Sequence, residues 1–245
     1  MDTIAAGRRS AVPKPGAVAT EDWEAHLARE EARYRDGEAR LGPDADSAAD
    51  VDARQRQLTR LGNAAGGAGL SLLMLGRREE AAGWFARAAA RYGESFADAP
   101  PGSWGRPIGG MKALVLADDW PRAEDAARWA LEAGAAQADS PIGRYAAALA
   151  LLVLGRDAEA RVHADAIRTR DDFPHDVGDA LAFLVTQDVA GYATAAESVL
   201  DSFETREAYL EDLPIADSVL VLQELADRRG MRAELSSPLL PQACD

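Results

Sequence analysis

The sequence predicts an all-α fold made of antiparallel helical hairpins, and three observations carry that expectation. Apolar residues recur at three- and four-residue spacing through most of the chain, the periodicity of one helix face. Proline-opened segments return at a near-constant interval: Pro107 and Pro141 are 34 residues apart, Pro174 follows after 33 and Pro214 after another 40. The stretch 139–167, DSPIGRYAAALALLVLGRDAEARVHADAI, is itself a complete hairpin. In it Ser140 caps a helix that starts at Pro141, where the missing amide costs nothing, and the apolar run to Leu154 ends at Gly155, which tolerates a left-handed turn. A second helix follows, with Ala160, Ala164 and Ile167 forming one stripe.

Taken in order, residues 1–19 contain Pro13, Pro15 and Gly16 and few large apolar side chains, and read as a flexible arm. Residues 20–230 form the helical domain and 231–245 a proline-bounded apolar tail. Thr20 is the expected N-cap of the first helix, with Glu21 and Asp22 in the first turn and Trp23, Leu27, Tyr34 and Leu41 along one face. Gly42, Pro43 and Asp44 stop it. A second helix is expected from about Ser47, and its later part, Ala64 to Leu75, is rich in Gly and Ala, so a neighbour can approach closely. At Gly76 the hairpin pattern appears for the first time: LGRREEA stands against LGRDAEA of the later unit. The second-helix stripe then recurs as Ala81, Phe85, Ala88 and Tyr92, as Ala123, Ala127, Ala130 and Gly134, and as Tyr192, Ala196, Val199 and Phe203. The triplet Pro107-Ile108-Gly109 is repeated at Pro141-Ile142-Gly143. An apolar helix from Pro214 to Arg229 and the tail through Leu239 and Leu240 are expected to pack back as a cap on the exposed edge of the array.

A period near 34, a small residue in the first helix (Gly69, Ala148), the Leu75-Gly76 and Leu154-Gly155 turns, and Ala81 or Ala160 followed by Phe85 or Ala164 resemble the tetratricopeptide repeat. The resemblance covers residues 63–93 and 141–172 most closely, and Asp118-Asp119-Trp120-Pro121 stands where the Leu-Gly turn would be. It implies antiparallel helical hairpins stacked as a tetratricopeptide-like α-solenoid with a C-terminal capping helix, and a role in binding proteins or peptides. More loosely, residues 172–241 are similar to the C-terminal part of all-helical immunity proteins of bacterial polymorphic-toxin systems.

The net charge is −14 and the isoelectric point near 4.7, which disfavours nucleic acid, because neutralising phosphates takes clustered cations. A basic partner, or salt adaptation, fits the acidity. Lys14 and Lys112 are the only lysines among 27 basic residues. Cys244 is the single cysteine and has no internal partner. With no signal-peptide pattern at residues 1–19 and no apolar run of membrane-spanning length, a cytoplasmic protein is expected.

No catalytic constellation is evident, and neither an enzyme activity, a cofactor nor a metal is expected. His175 with Asp171, Asp172, Asp176 and Asp179 could approach metal-ligand spacing, but these acids suit the start of a proline-opened helix. Glu204, Glu207 and Glu211 are expected on one solvated helix face. Gly66-Gly67 and Gly109-Gly110 lack the Gly-Lys-Ser/Thr ending of a phosphate loop and read as close-packing positions. First helices of stacked hairpins line the concave face, so the candidate partner-binding residues are Trp104, Arg106, Lys112, Arg144 and Tyr145. The expected function is a non-enzymatic protein- or peptide-binding scaffold. The alternative is an immunity protein that neutralises a basic toxin through its acidic surface.

Overall fold

The computed structural model describes residues 22–41 and 51–242. The arm at 1–19, the Thr20 cap, the Ser47 helix start and Cys244 fall outside the described residues. Within them the chain is helical, with ten α-helices and no strand. They are α1 (Trp23–Arg40), α2 (Val51–Met74), α3 (Arg78–Ala97), α4 (Gly105–Leu116), α5 (Trp120–Glu132), α6 (Pro141–Val153), α7 (Asp157–Arg168), α8 (His175–Thr186), α9 (Val189–Glu204) and α10 (Asp217–Asp227).

Asp22, placed in the first turn by the sequence, is itself the cap of α1: its carboxylate accepts from the Ala25 amide at 3.0 Å. Ser140 caps α6 as expected, accepting from Gly143 N–H at 3.2 Å, with Pro141 at the first helical position. Asp119 and Asp188 cap α5 and α9 in the same way. The other prolines sit differently. Pro107 is the third residue of α4, Pro174 precedes α8, and Pro214 lies three residues before α10, so the expected helix from Pro214 begins only at Asp217.

Helices α2–α9 form four consecutive hairpins joined by one kind of turn. At Gly76 and Gly155 the backbone enters the left-handed region (φ +74° and +66°). The amide of the glycine and that of the next residue then reach back to carbonyls of the helix just ended: Gly155 to Leu152 at 3.2 Å and Arg156 to Leu151 at 2.8 Å. Asp118 and Gln187 adopt the same conformation (φ 56° and 55°) with the same pair of bonds, to Val115 and Leu114 and to Leu184 and Phe183. The turn therefore persists where the glycine is missing.

Behind each turn the small-residue stripes are buried. Ala81, Ala88, Ala123, Ala127, Ala130, Ala160, Ala164, Ala196 and Val199 are fully enclosed between helices. Gly134 departs from its stripe: it lies past the end of α5, at φ +98°. The Gly-rich part of α2 lets α3 approach. A Cβ at Gly69 would come within 2.7 Å of the Phe85 ring, and one at Gly62 within 2.8 Å of Tyr92; Gly109 of α4 meets the other side of that ring at 2.8 Å.

Each helix from α1 to α9 packs on its sequence neighbour, and the first helices of successive hairpins also touch, α2 with α4 and α4 with α6. After α9 the chain turns back along that face. Rather than covering only the last hairpin, α10 contacts α4, α8 and α9. Arg229 fixes its far end, donating to the Leu152 carbonyl at 2.9 Å and pairing with Asp157 at 2.5 Å. Arg228 lies 4.1 Å over the Trp120 ring. The tail then runs beside α10: Leu239 and Leu240 are buried, the Leu239 carbonyl accepts from Ala216 N–H, and Ser237 donates to Glu204. No helix among the described residues is long and apolar enough to cross a membrane.

Candidate functional site

Between the first helices and the returning C-terminal segment lies a cavity of about 920 Å³. One wall is a single face of α2, where Thr59, Asn63, Gly66 and Leu70 recur at helical spacing. A second is the face of α4 from Arg106 to Leu116. The N-terminal turns of α6 and α8 add Pro141, Tyr145, Pro174 and Val177, and the covering side is the segment from Phe203 to Ser218.

That segment is held by charge pairs to residues far away in sequence. Glu211 accepts from Arg33 of α1 and, at 2.7 Å, from Asn63 of α2, whose own carbonyl accepts from the Tyr92 hydroxyl at 2.8 Å. Burial alone would raise the Glu211 carboxyl, but the Arg33 and Asn63 bonds outweigh it and hold it below the usual carboxylate range. Arg29 donates to the Glu211 carbonyl at 2.9 Å. Leu213 is buried over Gly67, where a Cβ would come within 2.8 Å of its methyl. Asp217 pairs with Lys112, which also reaches Ser218 at 3.2 Å. Burial disfavours the Lys112 ammonium, yet the Asp217 carboxylate more than offsets this and its affinity for the proton is raised.

Three of the five candidate partner-binding residues meet in this cavity: Arg106, Lys112 and Tyr145. The other two do not border it. Trp104 is buried and its ring stands 5.7 Å from that of Phe96. Arg144 pairs with Asp139 at 3.4 Å, and its charge, after burial, helps to hold the His163 imidazole below its ordinary value. Glu204, Glu207 and Glu211 do not share a helix, because α9 ends at Glu204 and the chain beyond it is irregular. Around His175 the acids have local partners: Asp179 takes Arg168 at 2.8 Å and Asp172 takes Arg170 at 2.7 Å. Among the described residues no group of three or more His, Cys, Asp or Glu is placed to hold a metal ion.

Sequence reasoning missed Arg33, Asn63 and Asp217, and put Glu211 on a solvated helix face where the structure places it at the cavity. Each is an ordinary helix-surface or loop residue by local pattern, and no periodicity links Arg33 to a partner 178 positions away. Arg206 lies 3.7 Å over the Phe203 ring and also borders the cavity.

No protein-family model, no curated protein and no solved structure matches this chain.

Proposed function

We propose that the protein is a non-enzymatic binding scaffold, a tetratricopeptide-like α-solenoid whose first helices receive an acidic or carboxylate-bearing segment of a partner protein. One observation carries the reading: an acidic segment of the chain itself already lies there, with Glu211 on Arg33 and Asn63, and Asp217 on Lys112. The repetition of one turn geometry through four hairpins supports the repeat reading. The contacts of α2 with α4 and of α4 with α6 support a face shared by successive first helices.

A labelled peptide spanning residues 205–218, TREAYLEDLPIADS, tests it. Offered to the full chain it competes with the same segment tethered in place, so binding to the wild type is weak. Glu211→Ala with Asp217→Ala loosens the tethered copy and should tighten capture of the free peptide at least tenfold, and adding Lys112→Ala should abolish the gain. Equal, weak binding by all three proteins would refute the scaffold reading. The second reading, an immunity protein acting through an acidic surface, is favoured by the net charge of −14. It requires association with a basic toxin that falls steeply with salt and is indifferent to Lys112 and Tyr145.

A further inference from the structure

The space left between the C-terminal segment and the first helices is graded from one end to the other. α2 and α4 run in the same direction, each being the first helix of its hairpin, so Thr59 and Arg106 mark one end of the cavity and Leu70 and Leu116 the other. The eleven residues from Arg106 to Leu116 span about 15 Å of helix axis. At the far end the lining is Leu70, Phe85, Ala113 and Leu116, all apolar.

At the near end stands a cation that pairs with no carboxylate among the described residues. Arg106 Nε donates to the Ser95 hydroxyl at 2.8 Å and the Thr59 hydroxyl at 3.0 Å, and its terminal nitrogen donates to Gln55. These groups are neutral. They orient the guanidinium and, among the described residues, leave its charge without an ion pair, in a half-buried position where burial pushes its proton affinity down. The three acids that border the cavity are already committed: Asp172 to Arg170, Glu211 to Arg33 and Asp217 to Lys112. The start of α4 adds to the positive end, since it has no side-chain cap and no acidic residue in its first turn. The Tyr145 hydroxyl, on the same lining, has no hydrogen-bond partner among the described residues.

We infer that this cavity binds a small linear amphipath with one terminal carboxylate, of the class of medium-chain fatty acids, its head on Arg106 and its chain directed toward Leu70 and Leu116. The volume lies within the range of small-molecule sites, about 300–1,000 Å³. The covering segment leaves room for a slender molecule, and an apolar body with one anionic end matches Arg106 at one end and the apolar wall at the other; Arg206, the other cation on the lining with no ion pair among the described residues, lies over the Phe203 ring. This inference is independent of peptide capture, which engages Lys112 and requires the covering segment to move. Fatty-acid binding leaves that segment in place.

Sodium decanoate titrated calorimetrically into the full chain tests the assignment, with 1-decanol and sodium acetate as the tail and head alone. Gly66 provides a clean block: it borders the cavity, and a Cβ there meets nothing within 4 Å. Gly66→Leu should fill the space without strain and leave the melting temperature unchanged or higher. Decanoate should bind one to one, with 1-decanol at least tenfold weaker and acetate not detectably bound. Arg106→Gln should weaken decanoate at least tenfold, and Gly66→Leu should abolish it. Decanoate that fails to saturate at one equivalent, or that binds both variants as it binds the wild type, overturns the inference. Equal affinity for 1-decanol would mean that Arg106 does not hold a carboxylate head, and overturns it as well.

Discussion

Between Gly76 and Gln187 the chain reverses four times through the same pair of backbone hydrogen bonds, while between Thr205 and Asp217 it follows an irregular path held mainly by side chains of other helices. The hairpins close on themselves. Their turns, caps and alanine stripes join residues close in sequence, and each helix buries its stripe against the next. The C-terminal segment depends on Arg33, Asn63 and Lys112, and two of its residues, Glu211 and Asp212, sit in the left-handed region (φ 56° and 55°) that side chains disfavour. The difference makes the array the expected framework of stability and the covering segment the part expected to open first.

The largest expected effect falls on the framework. Ala160 is wholly enclosed where α7 meets its neighbours, so Ala160→Arg overpacks the contact and buries an unpaired charge. A loss of about 4 kcal/mol is expected, read as a melting temperature lower by roughly 10 °C. An unchanged melting temperature would show that the hairpins do not carry the stability.

Leu213→Ala acts on the other region. Removing this buried side chain costs about 2 kcal/mol locally. Hydrogen exchange should show residues 205–218 losing protection while α2–α9 keep theirs, and a uniform loss along the chain would erase the distinction drawn between the two regions.

Acid should sharpen the comparison further. The Glu211 carboxyl, lowered from 4.5, gives stability that is fully present above that value and is lost as pH falls through its depressed folded value. Protection of the covering segment should therefore drop below about pH 4. In Glu211→Gln that pH dependence should be absent, and its persistence would assign it to another group.

The smallest effect is a gain. Gln187 closes the α8–α9 turn at φ 55°, a conformation glycine adopts freely, as it does at Gly76 and Gly155. Gln187→Gly should raise stability by about 0.7 kcal/mol, measured by urea unfolding. A loss instead would mean that the side chain contributes more than the strained backbone costs.

How much of this was legible follows from the range of each interaction. The capping of α6 by Ser140, the Gly76 and Gly155 turns and the burial of the Ala160 stripe come from neighbours within one or two helical turns, and the residue pattern contains them. Tertiary contacts changed other expectations. Asp118 and Gln187 keep the hairpin turn without glycine because the packed helices on either side impose it. The two Pro-Ile-Gly triplets diverge: Ile108 is buried and Ile142 is 40% exposed.

By itself, then, the sequence determined the all-helical elements and the Ser140 cap, because a helix is specified by hydrogen bonds and side-chain periodicity within a few residues. Only the tertiary structure decided which candidates share a site. Arg106, Lys112 and Tyr145 face one cavity, while Trp104 and Arg144 lie outside it. That division depends on where the segment after α9 crosses the first helices, through pairs such as Lys112 with Asp217 and Arg33 with Glu211. Contacts between residues more than a hundred positions apart leave no periodic trace in the chain, since either partner alone is an ordinary surface charge.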